Sequence, residues 1–231
     1  MTEWTKVRDL SAQELAFPFP VYRKGQRELA VNVYRTIVGG QKLYVQAPTG
    51  IGKTVSVLFP AVKALGEQKI SKVFYLTAKT ITRQVAQEAF ARMREQGLKI
   101  KTLTLTAKEK ICFCAKAQCN PDYCEYAKGH YDRVNAAIFD ALQNEDELSR
   151  TVVEHYAQKH RVCPFELALD LSLLADCVIC DYNYVFDPRA SLKRFFSEKE
   201  KDYVLLIDEA HNLVDRAREM FSAELRKKPF L

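Results

Sequence analysis

The chain has 231 residues, 48% of them hydrophobic, and a formal net charge of +6 at pH 7. This length can bury a sizeable core, in one domain with an insertion or in two small domains, and the charge permits an anionic partner such as nucleic acid without requiring one. The sequence has no signal peptide and no apolar run long enough to cross a membrane, so we expect a soluble, cytoplasmic protein with no membrane partner.

A glycine-rich segment follows an alternating apolar run and precedes a stretch with helical periodicity. The run from Leu43 to Ala47 predicts a strand, and the stretch from Val55 to Leu65 predicts a helix. A glycine-rich loop at such a junction is typical of a phosphate-binding loop, because the backbone can approach an anion closely and the helix N-terminus adds positive charge. The candidate loop residues are Ala47, Pro48, Thr49, Gly50, Ile51, Gly52, Lys53 and Thr54.

Two side chains at the end of this loop have specific predicted roles. Lys53 can reach the β- and γ-phosphates of ATP, and the Thr54 hydroxyl is placed to bind Mg²⁺. The usual pattern begins with glycine, whereas this chain has Ala47. An ordinary connection from strand to helix is the alternative, but the predicted elements on both sides favour the phosphate-binding interpretation.

The rest of the chain alternates predicted strands and helices. Lys72 to Leu76 and Lys101 to Leu105 predict strands on either side of a helix from Ile81 to Glu95. Further strands are predicted at 177–180 and 204–207, and further helices at 131–142 and 145–160. This alternation predicts an α/β fold in which helices flank a parallel sheet.

A second motif, Asp-Glu-Ala-His at 208–211, follows the apolar run 203–207. Carboxylates at the exit of a buried strand are costly unless they are paired or bound to metal, and an aspartate opposite a phosphate loop can hold Mg²⁺. We assign this role to Asp208, the role of base for the attacking water to Glu209, and a link between nucleotide state and a second domain to His211. The alternative is an acidic helix start stabilised by the helix dipole.

The seven cysteines are an odd number in a chain without an export signal, so a disulfide framework is a poor explanation. Four of them lie among polar residues at intervals that suit an iron–sulfur cluster or zinc: Cys112, Cys119, Cys124 and Cys163. No pair among these four has the two-residue gap of a zinc ribbon, which favours the cluster. Cys114 lies in the same group and is an alternative ligand. Cys177 and Cys180 fall in an apolar stretch and are expected to be inert core thiols.

The order of these motifs is informative. The phosphate loop, of the form Ala-x-Thr-Gly-x-Gly-Lys-Thr, is followed by the four cysteines, by Cys-Pro-Phe-Glu at 163–166, by Asp-Tyr-Asn-Tyr-Val-Phe-Asp-Pro at 181–188, and by the acidic motif. Over essentially the whole chain this order resembles the iron–sulfur superfamily 2 DNA helicases of the XPD and DinG type. The resemblance implies a RecA-like P-loop sheet flanked by helices, with a mostly helical four-cysteine insertion. It also implies ATP-driven DNA unwinding with 5′ to 3′ polarity and a [4Fe–4S] cluster, and it favours Cys112 over Cys114 as the first cluster ligand.

The resemblance also implies further site residues. Gln26 stands where the family has a glutamine that reads adenine. The loop after the strand at 72–76 stands where the family contacts the DNA backbone, and the segment at 181–188 follows a strand exit on the same sheet edge. The candidate contacts to single-stranded DNA or a forked duplex are Thr77, Lys79, Thr80, Asn183 and Tyr184. Three histidines are expected at the surface and not as ligands: His130, His155 and His160.

On this resemblance the chain divides into three segments. Residues 1–106 are the first part of the RecA-like domain, 107–163 are the Fe–S insertion, and 164–231 are the second part with the acidic motif. The family's second motor domain, which supplies arginines across the nucleotide cleft, has no room in 231 residues. We therefore expect the first motor half, as a fragment or the product of a truncated gene. Two other classes stay open: a non-hydrolysing ATP-binding regulatory module and a zinc-stabilised nucleic-acid-binding module.

Overall fold

The computed structural model describes residues 3–48, 50–116, 118–189, 192–196 and 202–223. Within these ranges the strands are β1 (Lys72–Leu76), β2 (Thr102–Thr104), β3 (Glu147–Leu148), β4 (Cys177–Cys180) and β5 (Tyr203–Ile207). The helices are α1 (Glu3–Glu14), α2 (Gln26–Val38), α3 (Lys53–Gly66), α4 (Thr80–Glu95), α5 (Lys108–Ile111), α6 (His130–Asn144), α7 (Arg150–His160), α8 (Pro164–Leu174), α9 (Asn183–Phe186), α10 (Lys193–Phe196) and α11 (Leu213–Phe221). A single 3₁₀ turn, Ala210–Asn212, lies between β5 and α11.

The strands form one parallel sheet in the order β3-β2-β4-β1-β5. Alternate residues of a strand face opposite sides of the sheet. Phe74 and Leu76 of β1 therefore join a core with α6, α7 and α8, whereas Val73 and Tyr75 join a second core with α3 and α4. All four residues of β4 are buried, as expected for a strand covered on both faces. The predicted α/β architecture, a parallel sheet flanked by helices, is confirmed.

The segment before the phosphate loop departs from the sequence prediction. The alternating run from Leu43 to Ala47 predicts a strand, but residues 41–48 form none, and Tyr44 is 89% exposed. A strand needs a hydrogen-bonded neighbour as well as a suitable side-chain pattern, and no described residue pairs with 43–47 along its backbone. In the described part of the chain, β5 is consequently an edge strand, with β1 on one side and no strand on the other.

The segment 107–163, predicted to be an insertion, is mostly helical in its described residues, as the sequence predicts. Helix α6 covers the predicted stretch 131–142, and α7 covers the later part of the stretch 145–160. The second stretch begins differently, because its residues 147–148 form β3 and pair with β2. Lys101, just before β2, reinforces this junction, since its Nζ lies 2.9 Å from Asp146 Oδ1. The segment 107–163 therefore supplies one edge strand of the described sheet.

Helix α1 packs against α3 and closes the end of the sheet at which the strands begin. A Cβ on Gly66, the last residue of α3, would lie 2.6 Å from the Ala12 Cβ, so the close approach of the two helices requires glycine. Arg8 Nη1 lies 3.0 Å from Asp176 Oδ1 at the start of β4. The phosphate loop and the Asp-Glu-Ala-His motif lie at the opposite end of the sheet, where the strands finish. None of the helices described is long and apolar enough to span a membrane.

Candidate nucleotide site and cysteine cavity

The phosphate-loop motif leads directly into α3, as predicted. Gly50 and Gly52 have φ angles of +82° and +84°, the left-handed region that favours glycine. Helix α3 begins at Lys53, so its first backbone N–H groups face the loop. Thr49 lies outside the described residues. The local geometry is that of a loop able to surround an anion at a helix N-terminus.

The two distant motifs meet at the carboxyl end of the sheet. Lys53 Nζ lies 3.4 Å from Glu209 Oε1 and 3.3 Å from the Ala47 carbonyl oxygen. Asp208 follows β5 directly, and its N–H donates to the Leu76 carbonyl of β1. His211 is exposed, with Nδ1 at 3.5 Å from Glu209 Oε2. The structure therefore brings together all four residues predicted for catalysis.

The predicted Mg²⁺ ligands, Thr54 and Asp208, are joined by a residue that the sequence did not single out. The Tyr75 hydroxyl lies 3.5 Å from Thr54 Oγ1 and beside the Asp208 carboxyl. Burial raises the pKa of the Asp208 carboxyl, and the Tyr75 hydroxyl opposes this by hydrogen bonding to it. Hard oxygen donors of this kind suit Mg²⁺. Tyr75 was missed because its position in β1 reads simply as a buried strand residue.

The turn that carries the acidic motif is held from its backbone side. Glu209 has a φ angle of +50°, unusual for a residue other than glycine. The Tyr182 hydroxyl donates to the Asp208 carbonyl and lies 3.2 Å from the Glu209 carbonyl oxygen. The Asn212 side chain donates to the same Glu209 carbonyl at 3.0 Å. These contacts stabilise an otherwise strained turn.

The segment before α2 supports the phosphate loop. Arg23 Nη1 donates to the Gly50 carbonyl, and the Arg23 N–H donates to Gln26 Oε1 at 2.7 Å. Gln26 is 3% exposed, and a Cβ on Gly52 would lie 2.3 Å from its Nε2. Gln26, predicted from the family resemblance to read adenine, thus packs directly on the loop. The contact of Arg23 was not predicted.

Five cysteines of the insertion region surround one cavity of about 270 Å³: Cys112, Cys114, Cys119, Cys124 and Cys163. Cys114 Sγ lies 3.7 Å from Cys124 Sγ, and this neighbour raises the pKa of Cys114 to about 11. Lys108 hydrogen-bonds Cys119, which raises the pKa of the lysine. Both alternatives for the first ligand, Cys112 and Cys114, lie at the cavity.

The spacing of these thiols bears on the kind of metal they could hold. Across the described ranges, no three His, Cys, Asp or Glu side chains stand close enough to bind one metal ion. Five thiols that line one cavity offer the donor set of an iron–sulfur cluster, and four of them would also suffice for zinc. The residues present therefore fit an iron–sulfur cluster.

The other cysteines and histidines are placed as follows. Cys177 and Cys180 are fully buried in β4, and burial raises the pKa of both thiols, which confirms the prediction of core thiols. His155 is exposed, and His160 Nε2 lies 2.7 Å from Asp140 Oδ2. The prediction that His130 lies at the surface is wrong: it is 4% exposed, and its Nδ1 accepts the Cys163 N–H at 3.2 Å. Its place at the start of α6 turns it inward, beside the cavity.

The predicted DNA contacts fall into two groups. Lys79 and Thr80 are exposed where α4 begins, and Asn183 is half-buried. Thr77 and Tyr184 are buried, and the Tyr184 hydroxyl donates to the Thr106 carbonyl at 3.3 Å. A base cannot stack on Tyr184 in this conformation, because the ring packs into the core behind β4. Contact of DNA with the exposed residues stays a prediction.

Comparison with known proteins shows which family this chain resembles. The DEAD_2 family model matches residues 77–230. The chain is 28% identical to a probable ATP-dependent helicase of Methanocaldococcus jannaschii, over 87% of this chain and 30% of the relative. It is 22% identical to the XPD/RAD3 helicase subunit of general transcription and DNA repair factor IIH of Saccharomyces cerevisiae, over 90% of this chain and 31% of the relative. It is 27% identical to the ATP-dependent DNA helicase DinG of Salmonella choleraesuis, over 88% of this chain and 34% of the relative.

Solved structures show the same fold. An XPD helicase superposes with a TM-score of 0.63 at 23% identity, covering 87% of this chain and 34% of that one. A truncated XPD superposes with a TM-score of 0.57 at 22% identity, covering 84% of this chain and 54% of that one. The chain spans only about a third of the curated relatives described above. The fold, the family match and these relatives together show that the chain belongs to the DEAD_2 family, among superfamily 2 helicases of the XPD and DinG type.

Proposed function

We propose that this chain is the first motor half of an ATP-dependent, iron–sulfur DNA helicase that moves with 5′ to 3′ polarity. The observation that carries the proposal is the meeting of the phosphate loop and the acidic motif, with Lys53 Nζ at 3.4 Å from Glu209 Oε1. A loop for phosphates beside two carboxylates at the end of a parallel sheet is the arrangement that nucleotide hydrolysis requires.

Each residue of the site has a role in this proposal. Lys53 binds the β- and γ-phosphates, and Thr54 and Asp208 would hold Mg²⁺, which neutralises phosphate charge when bound. Glu209 accepts the proton of the attacking water on its carboxylate. Because Lys53 pairs with Glu209 in this structure, binding of the phosphates by Lys53 would release that carboxylate. His211, which is exposed and lies next to Glu209, would report this change to a second domain.

The insertion would hold a [4Fe–4S] cluster through Cys119, Cys124, Cys163 and either Cys112 or Cys114. Such a cluster would cross-link segments that are distant in sequence. The shared edge strand β3 supports a mechanical connection between residues 107–163 and the RecA-like parts at 1–106 and 164–231. DNA phosphates would contact Lys79 and Thr80 at the start of α4, with Asn183 on the same side of the sheet.

Nucleotide binding tests the core of this proposal. We expect the chain to bind a fluorescent ATP analogue in the presence of Mg²⁺, and Lys53→Ala to abolish that binding because the phosphates lose the basic side chain assigned to them. Lys69→Ala, in the exposed turn after α3, is the matched control and should bind like the parent. Parental binding by Lys53→Ala would overturn the assignment of the loop.

A further inference from the structure

Two buried tyrosine hydroxyls lie on either side of Asp208, one against its carboxyl group and one against its backbone. Tyr75 is 1% exposed and Tyr182 is 0% exposed. A buried phenol needs hydrogen-bond partners, because its desolvated hydroxyl is otherwise costly. Both find those partners at the acidic motif and the first turn of α3, rather than in the surrounding core.

The position of Tyr75 follows from the register of the sheet. Tyr75 pairs with Leu206 of β5, two residues before Asp208, and its side chain faces α3. Its hydroxyl therefore reaches the space between Thr54 Oγ1, at 3.5 Å, and the Asp208 carboxyl. A phenolic hydroxyl can donate to one oxygen and accept from another, so one group can set the positions of both.

Tyr182 acts on the same turn from the other side. It comes from the segment after β4, and its hydroxyl contacts the carbonyls of Asp208 and Glu209. Glu209 has a left-handed backbone, which persists only when surrounding contacts fix it. Loss of the Tyr182 hydroxyl would leave two carbonyls without this donor and free the turn to relax.

We propose that Tyr75 and Tyr182 are positioning residues that hold the Asp208–Glu209 turn against Thr54, so that the two oxygen ligands are already spaced for a divalent cation bound with a nucleotide. This inference rests on the proposed nucleotide site. It assigns the two tyrosines no contact with substrate. Their effect is to couple cation binding to nucleotide binding.

The test measures that coupling in the 231-residue chain. The quantity is the ratio of the dissociation constant of a fluorescent ATP analogue in EDTA to its dissociation constant in saturating Mg²⁺. We expect Tyr75→Phe to lower this ratio about tenfold, the effect of one lost hydrogen bond to a charged group, with the dissociation constant in EDTA unchanged. Tyr182→Phe should lower the ratio as well. A ratio equal to the parental one in both variants would overturn the proposal.

Two controls separate positioning from general stability. Tyr156→Phe removes a buried hydroxyl whose partner is Glu145, at 3.2 Å and far from the loop, and should keep the parental ratio. Asp208→Asn provides a background in which Tyr75→Phe should cause no further loss, whereas a merely structural tyrosine would still lower binding there. If Tyr75→Phe does not fold, as judged by thermal unfolding, Tyr182→Phe decides the question. Absence of any Mg²⁺ effect in the parent would instead contradict the proposed nucleotide site.

Discussion

At the scale of single residues, the contact between Lys53 and Glu209 governs how a nucleotide would enter the site. The side chains are 32% and 33% exposed. Ion pairs at this exposure contribute about 0–1 kcal/mol, so phosphates can compete for Lys53 without a large cost.

Replacement of Glu209 tests its role as base. We expect Glu209→Gln to bind Mg·ATP like the parent, but to reduce turnover about 10²–10⁴-fold in a helicase that includes the second motor domain, because an amide cannot accept the proton. Glu219→Gln, exposed on α11, is the control and should hydrolyse ATP at the parental rate. Parental turnover by Glu209→Gln would show that another group positions the water.

The buried Tyr184 predicts a pH dependence of stability. Burial raises the pKa of its hydroxyl to about 12, whereas an unfolded tyrosine ionises near pH ~10. Only the unfolded chain loses the proton in between, so the contribution of Tyr184 is complete below about pH 10 and falls by about 2 kcal/mol towards pH 12. Urea unfolding should show a shallower decline for Tyr184→Phe than for the parent over this range. Equal slopes would mean that the ring is exposed, as a base-stacking role requires.

The sequence predicted residues whose chemistry depends on a local pattern. Lys53 and Thr54 were predicted as site residues because a phosphate loop is contiguous, and Asp208 because it follows an apolar run. Tyr75 and Tyr182 could not be found in this way, since their hydroxyls act on residues more than twenty positions distant. His130 was placed wrongly for the same reason: its burial depends on the approach of Cys163.

At the scale of elements, β3 shows how the insertion is attached to the sheet. Lys101 is buried and donates to the Glu145 carbonyl at 2.7 Å and to Asp146 Oδ1 at 2.9 Å, next to β3. Strand alternation predicted the neighbouring β2 but not β3, because two residues are too few to show a period. The strand predicted at 43–47 was wrong for the opposite reason. Its residues have the alternating pattern of a strand, but no described strand pairs with them.

Lys101→Met tests this attachment. We expect it to lower the free energy of unfolding by about 1–3 kcal/mol, because it removes the buried ammonium group that donates to the half-buried Glu145 carbonyl and to Asp146. Lys99→Met is a matched control, since Lys99 Nζ lies 3.6 Å from the same Asp146 carboxylate but is largely exposed, and should cost at most about 1 kcal/mol. Equal losses in chemical denaturation would show that the buried contact does not stabilise the junction.

The cysteine cavity gives a prediction for the insertion as a unit. Chain purified without oxygen should be brown, with about four iron and four sulfide per chain. Cys119→Ser and Cys163→Ser should lose the iron, whereas Cys177→Ser, in the core of β4, should retain it. Comparing Cys112→Ser with Cys114→Ser identifies the first ligand. Stoichiometric zinc without iron in anaerobic preparations would contradict the cluster.

At the scale of the whole molecule, the proposed motor needs a second domain in addition to these 231 residues. An arginine from a partner domain commonly raises the turnover rate about 10³–10⁵-fold. We expect the 231 residues alone to bind ATP and single strands, in a salt-sensitive way, without unwinding. A fluorescent forked duplex with a 5′ tail, tested with this chain and with a longer chain carrying the second motor domain, measures the difference. Robust unwinding by the short chain would require a dimer that donates arginine between copies.

The uncovered side of β5 also affects how the protein behaves at high concentration. Along the described chain this strand has a partner on one side only, and the apolar side chains of Leu43, Tyr44 and Val45 are exposed. Open strand edges with apolar neighbours are sites at which two copies can join backbone to backbone. We therefore expect the described edge of β5 to favour self-association of this polypeptide at high concentration.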